Sequence, residues 1–228
     1  MSAIGILGGM GPQASSRLYE LLIEGTKDFN PAAFDNDYPA IVLLNVPVPN
    51  FLTSTKNMSI AKDMLIKATK ILEDSGCTIN GIACNTAHIL LPELQAVTSV
   101  PFLSIPDLAA DKIQQSGFKR IGLLATPTTL KSKLYDDAIY GRAKLVRPNS
   151  EATKDTERFI YKQLNGEIGR KDRKEFRILV NSFMSEKKLD AVILGCTELP
   201  LVYGRTKDIK VIDTLQLLSD ALLAKYFL

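Results

Sequence analysis

Short apolar runs rich in β-branched residues alternate along the chain with longer segments in which apolar residues recur at helical spacing. The runs predict strands at Ala3–Leu7, Ala40–Val46, Gly81–Ala83 and Val100–Ile105, then at Arg120–Ala125, Ala143–Val146, Asp190–Leu194 and Ile209–Ile212. The longer segments predict helices at Gln13–Lys27, Ser59–Ser75, Thr128–Tyr140, Thr153–Asn165, Asp172–Lys187 and Thr214–Phe227. Because strand and helix alternate, we expect an α/β fold with parallel sheets.

The second half of the chain repeats the plan of the first. Ile4-Gly5-Ile6-Leu7 matches Ile121-Gly122-Leu123-Leu124, and Cys84 follows the first motif at a distance similar to that of Cys196 from the second. We therefore predict two lobes related by a pseudo-twofold axis, each a four-stranded parallel sheet flanked by helices. In such a fold a ligand binds in the cleft at the carboxyl ends of the strands.

The division between the lobes is predicted from the same repeat. The N-terminal lobe would comprise residues 1–107 plus 213–228 and carry Cys84. The C-terminal lobe would comprise residues 108–212 and carry Cys196.

Composition excludes several classes of function. The 228 residues are 46% apolar, which is enough for a substantial core, and 28 Lys and Arg against 25 Asp and Glu give a net charge of only +3. The chain has no long run of like charge, so neither a nucleic-acid nor a membrane partner is predicted. No apolar stretch approaches the roughly 20 residues that span a bilayer, and the N-terminus has no signal-peptide pattern. We expect a cytoplasmic protein.

The cysteines do not fit a disulfide framework or a metal site. The chain has three, Cys77, Cys84 and Cys196, with a single histidine, His88, and none of the paired spacing of zinc ligands. Cys77 follows Gly76 at the end of a helical pattern, and we interpret it as a packed core residue. No metal is expected.

Two segments of similar design carry the candidate chemistry: Gly81-Ile82-Ala83-Cys84-Asn85-Thr86-Ala87-His88 and Ile193-Leu194-Gly195-Cys196-Thr197-Glu198. In each segment a predicted strand is followed by a cysteine, then by a polar residue, and then by a predicted helix start. The N–H groups of a helix N-terminus favour a thiolate and can hold a carboxylate. The design therefore predicts two thiols facing one small anionic substrate.

Two opposed thiols suit the inversion of a carbon that bears hydrogen. One group must remove a proton from one face while another returns a proton to the opposite face, so one cysteine acts as thiolate and the other as thiol. Backbone N–H groups and the side chains of Asn85, Thr86 and Thr197 can stabilise the charge of the substrate carboxylate and the intermediate.

Other interpretations apply to some of these residues. Gly9-Met10-Gly11-Pro12-Gln13-Ala14 fits a dinucleotide fingerprint, but the predicted second strand ends on Asn45-Val46-Pro47 without the acidic residue that binds a ribose, so we interpret the glycines as a tight turn. His88 could be a general base or make a structural hydrogen bond. Glu198 could orient a substrate amine or be a charge at a helix N-terminus.

Together these motifs resemble the aspartate/glutamate racemase superfamily, and most closely its PLP-independent aspartate racemases. The residues that carry the resemblance are Gly8-Gly9-Met10-Gly11-Pro12, Asp35-Asn36-Asp37, Cys84-Asn85-Thr86-Ala87-His88, Leu124-Ala125-Thr126, Gly195-Cys196-Thr197-Glu198-Leu199 and Ile212-Asp213-Thr214. They occur in order over nearly the whole chain.

The resemblance implies a cofactor-free isomerase, commonly dimeric, that interconverts D- and L-amino acids. Cys84 would take the α-proton from the D-substrate and Cys196 from the L-substrate. The residues that match substrate contacts are Met10, Asn85, Thr86, Ala87, Thr126, Thr197 and Glu198. We therefore expect a homodimeric racemase of acidic amino acids, with aspartate first and glutamate second.

The chain departs from the aspartate-specific pattern at two places. Aspartate racemases often carry Pro-Asp-Arg-Thr where this chain has Pro47–Thr53, which contains no Arg. They also often carry a Lys near the position that is Asn165 in this chain. The side-chain specificity therefore stays open. A non-catalytic amino-acid-binding protein on the same scaffold, or a related isomerase or decarboxylase of small carboxylates, is the alternative function.

Overall fold

The computed structural model describes residues 2–31, 34–50, 55–206 and 208–228. The strands are β1 (Ala3–Gly8), β2 (Ile41–Asn45), β3 (Cys77–Ile82), β4 (Phe102–Leu103), β5 (Arg120–Leu124), β6 (Lys144–Val146), β7 (Ala191–Leu194) and β8 (Val211–Asp213). Within the described residues they form two four-stranded sheets, in the orders β2-β1-β3-β4 and β6-β5-β7-β8, and all the pairings are parallel. The predicted α/β class with two parallel sheets is confirmed.

Helices connect successive strands, as parallel pairing requires. They are α1 (Pro12–Phe29), α2 (Thr55–Asp74), α3 (Leu91–Gln95), α4 (Ile105–Ser116), α5 (Pro127–Lys131), α6 (Leu134–Ile139), α7 (Ser150–Leu164), α8 (Arg170–Lys187), α9 (Glu198–Tyr203) and α10 (Thr214–Phe227). Short 3₁₀ segments occur at Asp35–Asp37 and Thr86–Leu90.

The chain divides into two compact units, one around each sheet. The first consists of Met1–Ser104 with Leu218–Leu228, and the second of Ile105–Leu217. Both sheets have the same strand order, which supports the internal duplication seen in the sequence. The pseudo-twofold relation and the predicted folding domains, 1–107 with 213–228 and 108–212, stay predictions.

The last helix, α10, covers one face of the first sheet. Leu218 and Leu222 are buried against Gly81 in β3, where a Cβ would lie only 3.1 Å from a methyl carbon of Leu222. The hydroxyl of Tyr226 also accepts a hydrogen bond of 3.3 Å from the backbone N–H of Ala40, just before β2. The end of the chain thus completes the first unit, although the preceding residues belong to the second.

In the second unit, aromatic side chains join α7, α8 and α9. The ring of Phe176 on α8 lies 5.2 Å from that of Phe159 on α7 and 6.3 Å from that of Tyr203 on α9. Arg177 donates a hydrogen bond of 2.9 Å to the carbonyl of Tyr203, and its guanidinium lies over the same ring. These contacts hold α9, and with it the segment that begins at Cys196, against the two longer helices.

One predicted helix is wrong as a continuous element. The segment Thr128–Tyr140 forms two short helices, α5 and α6, because Lys133 between them adopts a left-handed conformation with φ of 62°. An L-residue with a side chain enters that region at a cost, so the apolar spacing alone does not reveal the break.

Several other boundaries differ from the sequence prediction, among them the starts of β3 and α4. β3 begins at Cys77, four residues before its predicted start, so Cys77 is a buried strand residue rather than the end of a helix. The predicted strand Val100–Ile105 shortens to β4, because α4 begins at Ile105 with Pro106 in its first turn. Proline is tolerated there since the first helical N–H groups have no intrahelical partner.

Asp190 gives a prediction about stability and pH. Its carboxylate accepts backbone hydrogen bonds from Lys119 and Arg120 at the start of β5, and these bonds lower its pKa. A carboxyl whose pKa is lower in the folded state stabilises the protein above its unfolded pKa of about 3.9, and this contribution is lost as the pH falls through the folded pKa.

We therefore expect Asp190→Asn to reduce the free energy of unfolding by about 1 kcal/mol at pH 7 and by less at pH 3. Urea unfolding of both proteins at the two pH values measures this difference. Asp63→Asn, which removes an exposed carboxylate on α2, is the matched control. A difference that stays constant between pH 7 and pH 3 would contradict the assignment.

Candidate active site

Cys84 lies in the link that follows β3 in the first unit. The N–H of Ala83 donates a hydrogen bond of 2.9 Å to the carbonyl of Leu7, so the turn after β3 lies beside the turn after β1. Cys84 as a whole residue is 8% exposed. Parallel pairing of two neighbouring strands therefore determines where this thiol lies.

The residues after Cys84 form a buried 3₁₀ turn. Asn85, Thr86 and Ala87 are all buried, and the imidazole Nδ1 of His88 lies 2.8 Å from the carbonyl oxygen of Cys84. A carbonyl only accepts, so Nδ1 carries the proton in this hydrogen bond. His88 thus makes the structural contact that was one of its two interpretations, and its role in chemistry stays a prediction.

Met10 lies in the turn after β1. It packs against the apolar cluster that includes Cys84 and Ala87. The N–H of Gly9 donates to the hydroxyl of Ser15, and a Cβ on Gly9 would collide with the backbone of Val46. The glycine therefore permits a close approach of two backbone segments, which agrees with its interpretation as a tight turn.

Cys196 occupies the corresponding position in the second unit. The N–H of Gly195 donates 2.7 Å to the carbonyl of Leu124, just as the N–H of Ala83 bonds Leu7. A Cβ on Gly195 would lie 2.6 Å from a methyl carbon of Leu123, so any larger residue would force that side chain to shift. Cys196 as a whole residue is 7% exposed.

The Cys196 thiol has a carboxylate beside it. Its Sγ donates a hydrogen bond of 2.9 Å to Oε2 of Glu198, and the hydroxyl of Thr197 donates to the same oxygen at 3.2 Å. Glu198 is only 3% exposed. The sequence placed these three residues in one site, but it did not show that the carboxylate turns back to the thiol.

Thr126 follows β5, next to the Cys196 segment. Its hydroxyl oxygen accepts a hydrogen bond from the N–H of Thr129 and caps α5. Ala125 lies 3.2 Å from where a Cβ on Gly195 would be. Within each unit, then, the predicted site residues lie at the carboxyl end of the central strands: Met10, Asn85, Thr86 and Ala87 near Cys84, and Thr126, Thr197 and Glu198 near Cys196.

Tyr135 is a residue that the sequence analysis did not single out. It is fully buried on α6, and burial raises its pKa, with a further rise from the charge of Cys196. The phenol therefore keeps its proton. Its position inside a predicted apolar helix face gave no signal that it lies near a candidate thiol.

The helices that follow the two cysteines are short. Cys84 leads into the 3₁₀ turn Thr86–Leu90, and Cys196 leads through Thr197 into the six residues of α9. A macrodipole sums over aligned peptide groups, so these short helices provide less of it than long ones would. Nearby side chains and backbone N–H groups are therefore the main electrostatic environment of both thiols.

Two departures from the aspartate-specific pattern fall in different parts of the structure. Pro47–Asn50 are described and contain no basic residue, whereas Phe51–Thr53 lie outside the described residues. Asn165 caps the end of α7, with Glu167 as a side-chain partner, and the nearby Lys162 pairs with Asp172 at 2.6 Å.

The described residues include no group of three or more His, Cys, Asp or Glu side chains arranged to hold a metal ion. Among the described helices, we find none with the length and apolar character needed to cross a membrane.

Comparison with known proteins identifies the family. A family model described as Asp/Glu/Hydantoin racemase matches residues 7–222. The chain belongs to this family. The resemblance to the aspartate/glutamate racemase superfamily is thereby confirmed at the level of the superfamily.

Individual members of the racemase family cover nearly the whole chain. A broad-specificity amino-acid racemase of Bacillus subtilis (strain 168) is 26% identical over 227 residues, which are 98% of this chain and 97% of that protein. An aspartate racemase homologue from Pyrococcus horikoshii OT3 has a TM-score of 0.80, 27% identity and 99% coverage of both chains. An aspartate racemase of Picrophilus torridus has a TM-score of 0.79 and 30% identity over 99% of this chain and 94% of its own.

Thiol chemistry provides a first test of the site. Cys77 is buried in β3, and burial raises the pKa of its thiol, so little thiolate is present at neutral pH. We expect iodoacetamide at pH 7.5 to leave Cys77 unmodified in the native protein and to modify it only after unfolding. Peptide mass spectrometry measures the modified fraction at each cysteine. Modification of Cys77 before the other two would contradict its assignment to the core.

Proposed function

We propose that the protein is a cofactor-independent racemase of acidic amino acids, with aspartate as the first substrate and glutamate as the second, and that Cys84 and Cys196 are its two bases. The observation that supports this is the equivalent placement of the two thiols. The residue before each cysteine, Ala83 or Gly195, donates its backbone N–H to a carbonyl at the end of the neighbouring central strand. A binding protein would not require a thiol at both positions.

The mechanism follows from the acid–base properties of two thiols. One thiolate removes the α-proton from one face of the substrate, and the other thiol returns a proton to the opposite face. As the resemblance implies, Cys84 takes the proton from the D-enantiomer and Cys196 from the L-enantiomer. The Cα–H bond breaks as an S–H bond forms, and the second S–H bond breaks as the new Cα–H bond forms.

The substrate carboxylate needs donors that are already in place. The side chains of Asn85 and Thr86 are buried next to Cys84, with backbone N–H groups of the same segment, whereas the hydroxyl of Thr197 donates to Glu198. Preorganised donors of this kind stabilise the charge that develops on the carboxylate when the α-carbon loses its proton. This provides an electrostatic alternative to the electron sink of a pyridoxal cofactor.

The order of substrates combines two considerations. Solved structures similar to this chain include an aspartate racemase, and a similar curated relative is a broad-specificity racemase. Pro47–Asn50, however, lack the Arg of the aspartate-specific pattern. Aspartate therefore comes first and glutamate stays the second candidate. The homodimer and the cytoplasmic location also stay predictions, and light scattering of the purified protein tests the first.

Proton NMR in D₂O tests the reaction without added pyridoxal phosphate. We expect the α-proton signal of L-Asp and of D-Asp to disappear while the opposite enantiomer forms, and we expect slower or no reaction with L-Glu and D-Glu. Substrate loss with malonate or maleate instead would favour a related decarboxylase or isomerase. No α-proton exchange with any of the four amino acids, in folded protein with reduced thiols, would refute the proposal.

Substitution of the cysteines tests their roles. We expect Cys84→Ser and Cys196→Ser each to lower kcat/KM for racemisation by at least about 100-fold, because each removes one of the two proton-transfer groups. Cys77→Ala, a change of the same residue type in the core of the same unit, is the matched control and should keep near-normal activity. A double Cys84→Ser, Cys196→Ser variant that racemises at the normal rate would exclude the two-thiol mechanism.

A further inference from the structure

The two cysteines have different chemical neighbours in the chain. The second residue after Cys196 is Glu198, whereas the second residue after Cys84 is Thr86. Although the backbone positions of the two thiols match, only the C-terminal segment brings a carboxylate from the same turn to its cysteine. The two copies of the internal repeat therefore differ in charge two residues after the cysteine, where one has Glu198 and the other Thr86.

The hydrogen-bond geometry of this segment favours a proton on the sulfur of Cys196. Oε2 of Glu198 accepts from the Cys196 thiol at 2.9 Å and from the Thr197 hydroxyl at 3.2 Å. An oxygen that accepts from two donors is best satisfied as a carboxylate, and the bond from sulfur then requires the protonated thiol. The contact of 2.9 Å is short for a sulfur donor, as expected when the acceptor is charged.

Burial increases the preference for a single proton shared between the Cys196 thiol and the Glu198 carboxylate. Both Cys196 and Glu198 are buried, so a thiolate beside a carboxylate would place two negative charges together where water screens them little. The nearby phenol of Tyr135 is neutral, because burial raises its pKa. It adds no charge that could change this preference.

Other charged groups on the neighbouring elements have partners elsewhere. Arg173 and Arg177 on α8 bond the carbonyls of Leu201 and Tyr203, towards the other end of α9. Lys162 on α7 pairs with Asp172, and the carboxylate of Asp213 after β8 accepts from the N–H groups that begin α10. Glu198 is therefore the charged group whose contact with the thiol itself is established.

We propose that Glu198 is a positioning residue that holds the proton on Cys196, so that the resting enzyme uses Cys196 as the acid and Cys84 as the base. This inference rests on the proposed function and gives that function a direction. A resting enzyme in this protonation state is ready for the enantiomer whose α-proton faces Cys84, which is the D-enantiomer in the assignment above. The L-enantiomer binds productively only to the less populated state with the proton on Cys84.

The first test measures the thiol itself and needs no racemase activity. The rate of alkylation by iodoacetamide is measured at each cysteine against pH by peptide mass spectrometry. In Glu198→Gln we expect the midpoint for Cys196 to move to lower pH, because the neighbouring negative charge is gone while the size of the side chain is kept. If the midpoint falls by about one pH unit, the thiolate fraction below the midpoint rises about tenfold. The less basic thiolate is about threefold less nucleophilic, so alkylation becomes roughly threefold faster.

Controls separate this effect from a change in structure. Cys84 in the same Glu198→Gln sample should keep its normal profile, and Glu198→Asp, which keeps the charge, should leave the midpoint of Cys196 nearer to that of the unchanged protein. Glu93→Gln removes an exposed carboxylate on α3 and should change neither profile. A Cys196 profile in Glu198→Gln that coincides with the normal one, in folded protein, would overturn the proposal.

The second test uses racemisation kinetics. Free D- and L-enantiomers have equal energies, so kcat/KM must be equal in the two directions whatever the enzyme does. A protonation bias instead makes KM lower for the D-substrate than for the L-substrate, with kcat changed in proportion. We expect this ratio of KM values to approach one in Glu198→Gln, while a merely structural role would change both directions alike.

The two proposals fail in different ways. If the unchanged protein racemises none of the four amino acids, the proposed function fails, and the alkylation profiles still decide whether Glu198 controls the proton on Cys196. If racemisation occurs with equal KM values for both enantiomers and Glu198→Gln leaves the alkylation of Cys196 unchanged, the function stands and the role of Glu198 is refuted.

Discussion

Parallel pairing of the central strands is the constraint on which the candidate site depends. In the first unit the N–H of Ala83 bonds the carbonyl of Leu7, and in the second the N–H of Gly195 bonds the carbonyl of Leu124. Each bond fixes the register at the carboxyl ends of two neighbouring strands, so the turn after one strand lies beside the turn after the other. The cysteine is the next residue in both cases. Its position is thus determined by backbone hydrogen bonding and does not depend on the helix that follows.

This constraint explains which parts of the site tolerate variation between the two units. The residue before the cysteine is Ala83 in one and Gly195 in the other, where a Cβ would lie 2.6 Å from a methyl carbon of Leu123. The following helices differ in type and length. The two segments therefore share the placement of a thiol while they differ in the groups that surround it. A duplicated fold can in this way provide two similar nucleophiles with unequal proton affinity.

The sequence predicted the sheets better than the details around the cysteines. Buried parallel strands are continuous apolar runs, and the repeat of Ile4-Gly5-Ile6-Leu7 at Ile121 to Leu124 made the duplication visible. The break at Lys133 was not predictable, because it depends on one residue adopting a left-handed conformation. The contact between Glu198 and Cys196 was also hidden, since a side-chain rotamer decides whether a carboxylate at a helix start points outward or back to the preceding residue.

The return of α10 to the first sheet has a consequence for biosynthesis. Leu218 and Leu222 cover the face of β3 at Gly81, yet they are translated after the whole of the second unit. While the ribosome is still making residues 105–217, the part of the first sheet at Gly81 lacks the leucines that later cover it and stays open to water or to a chaperone. The two units therefore cannot mature strictly one after the other. Completion of the first unit needs Leu218–Leu228, which follow the whole of the second unit in the chain.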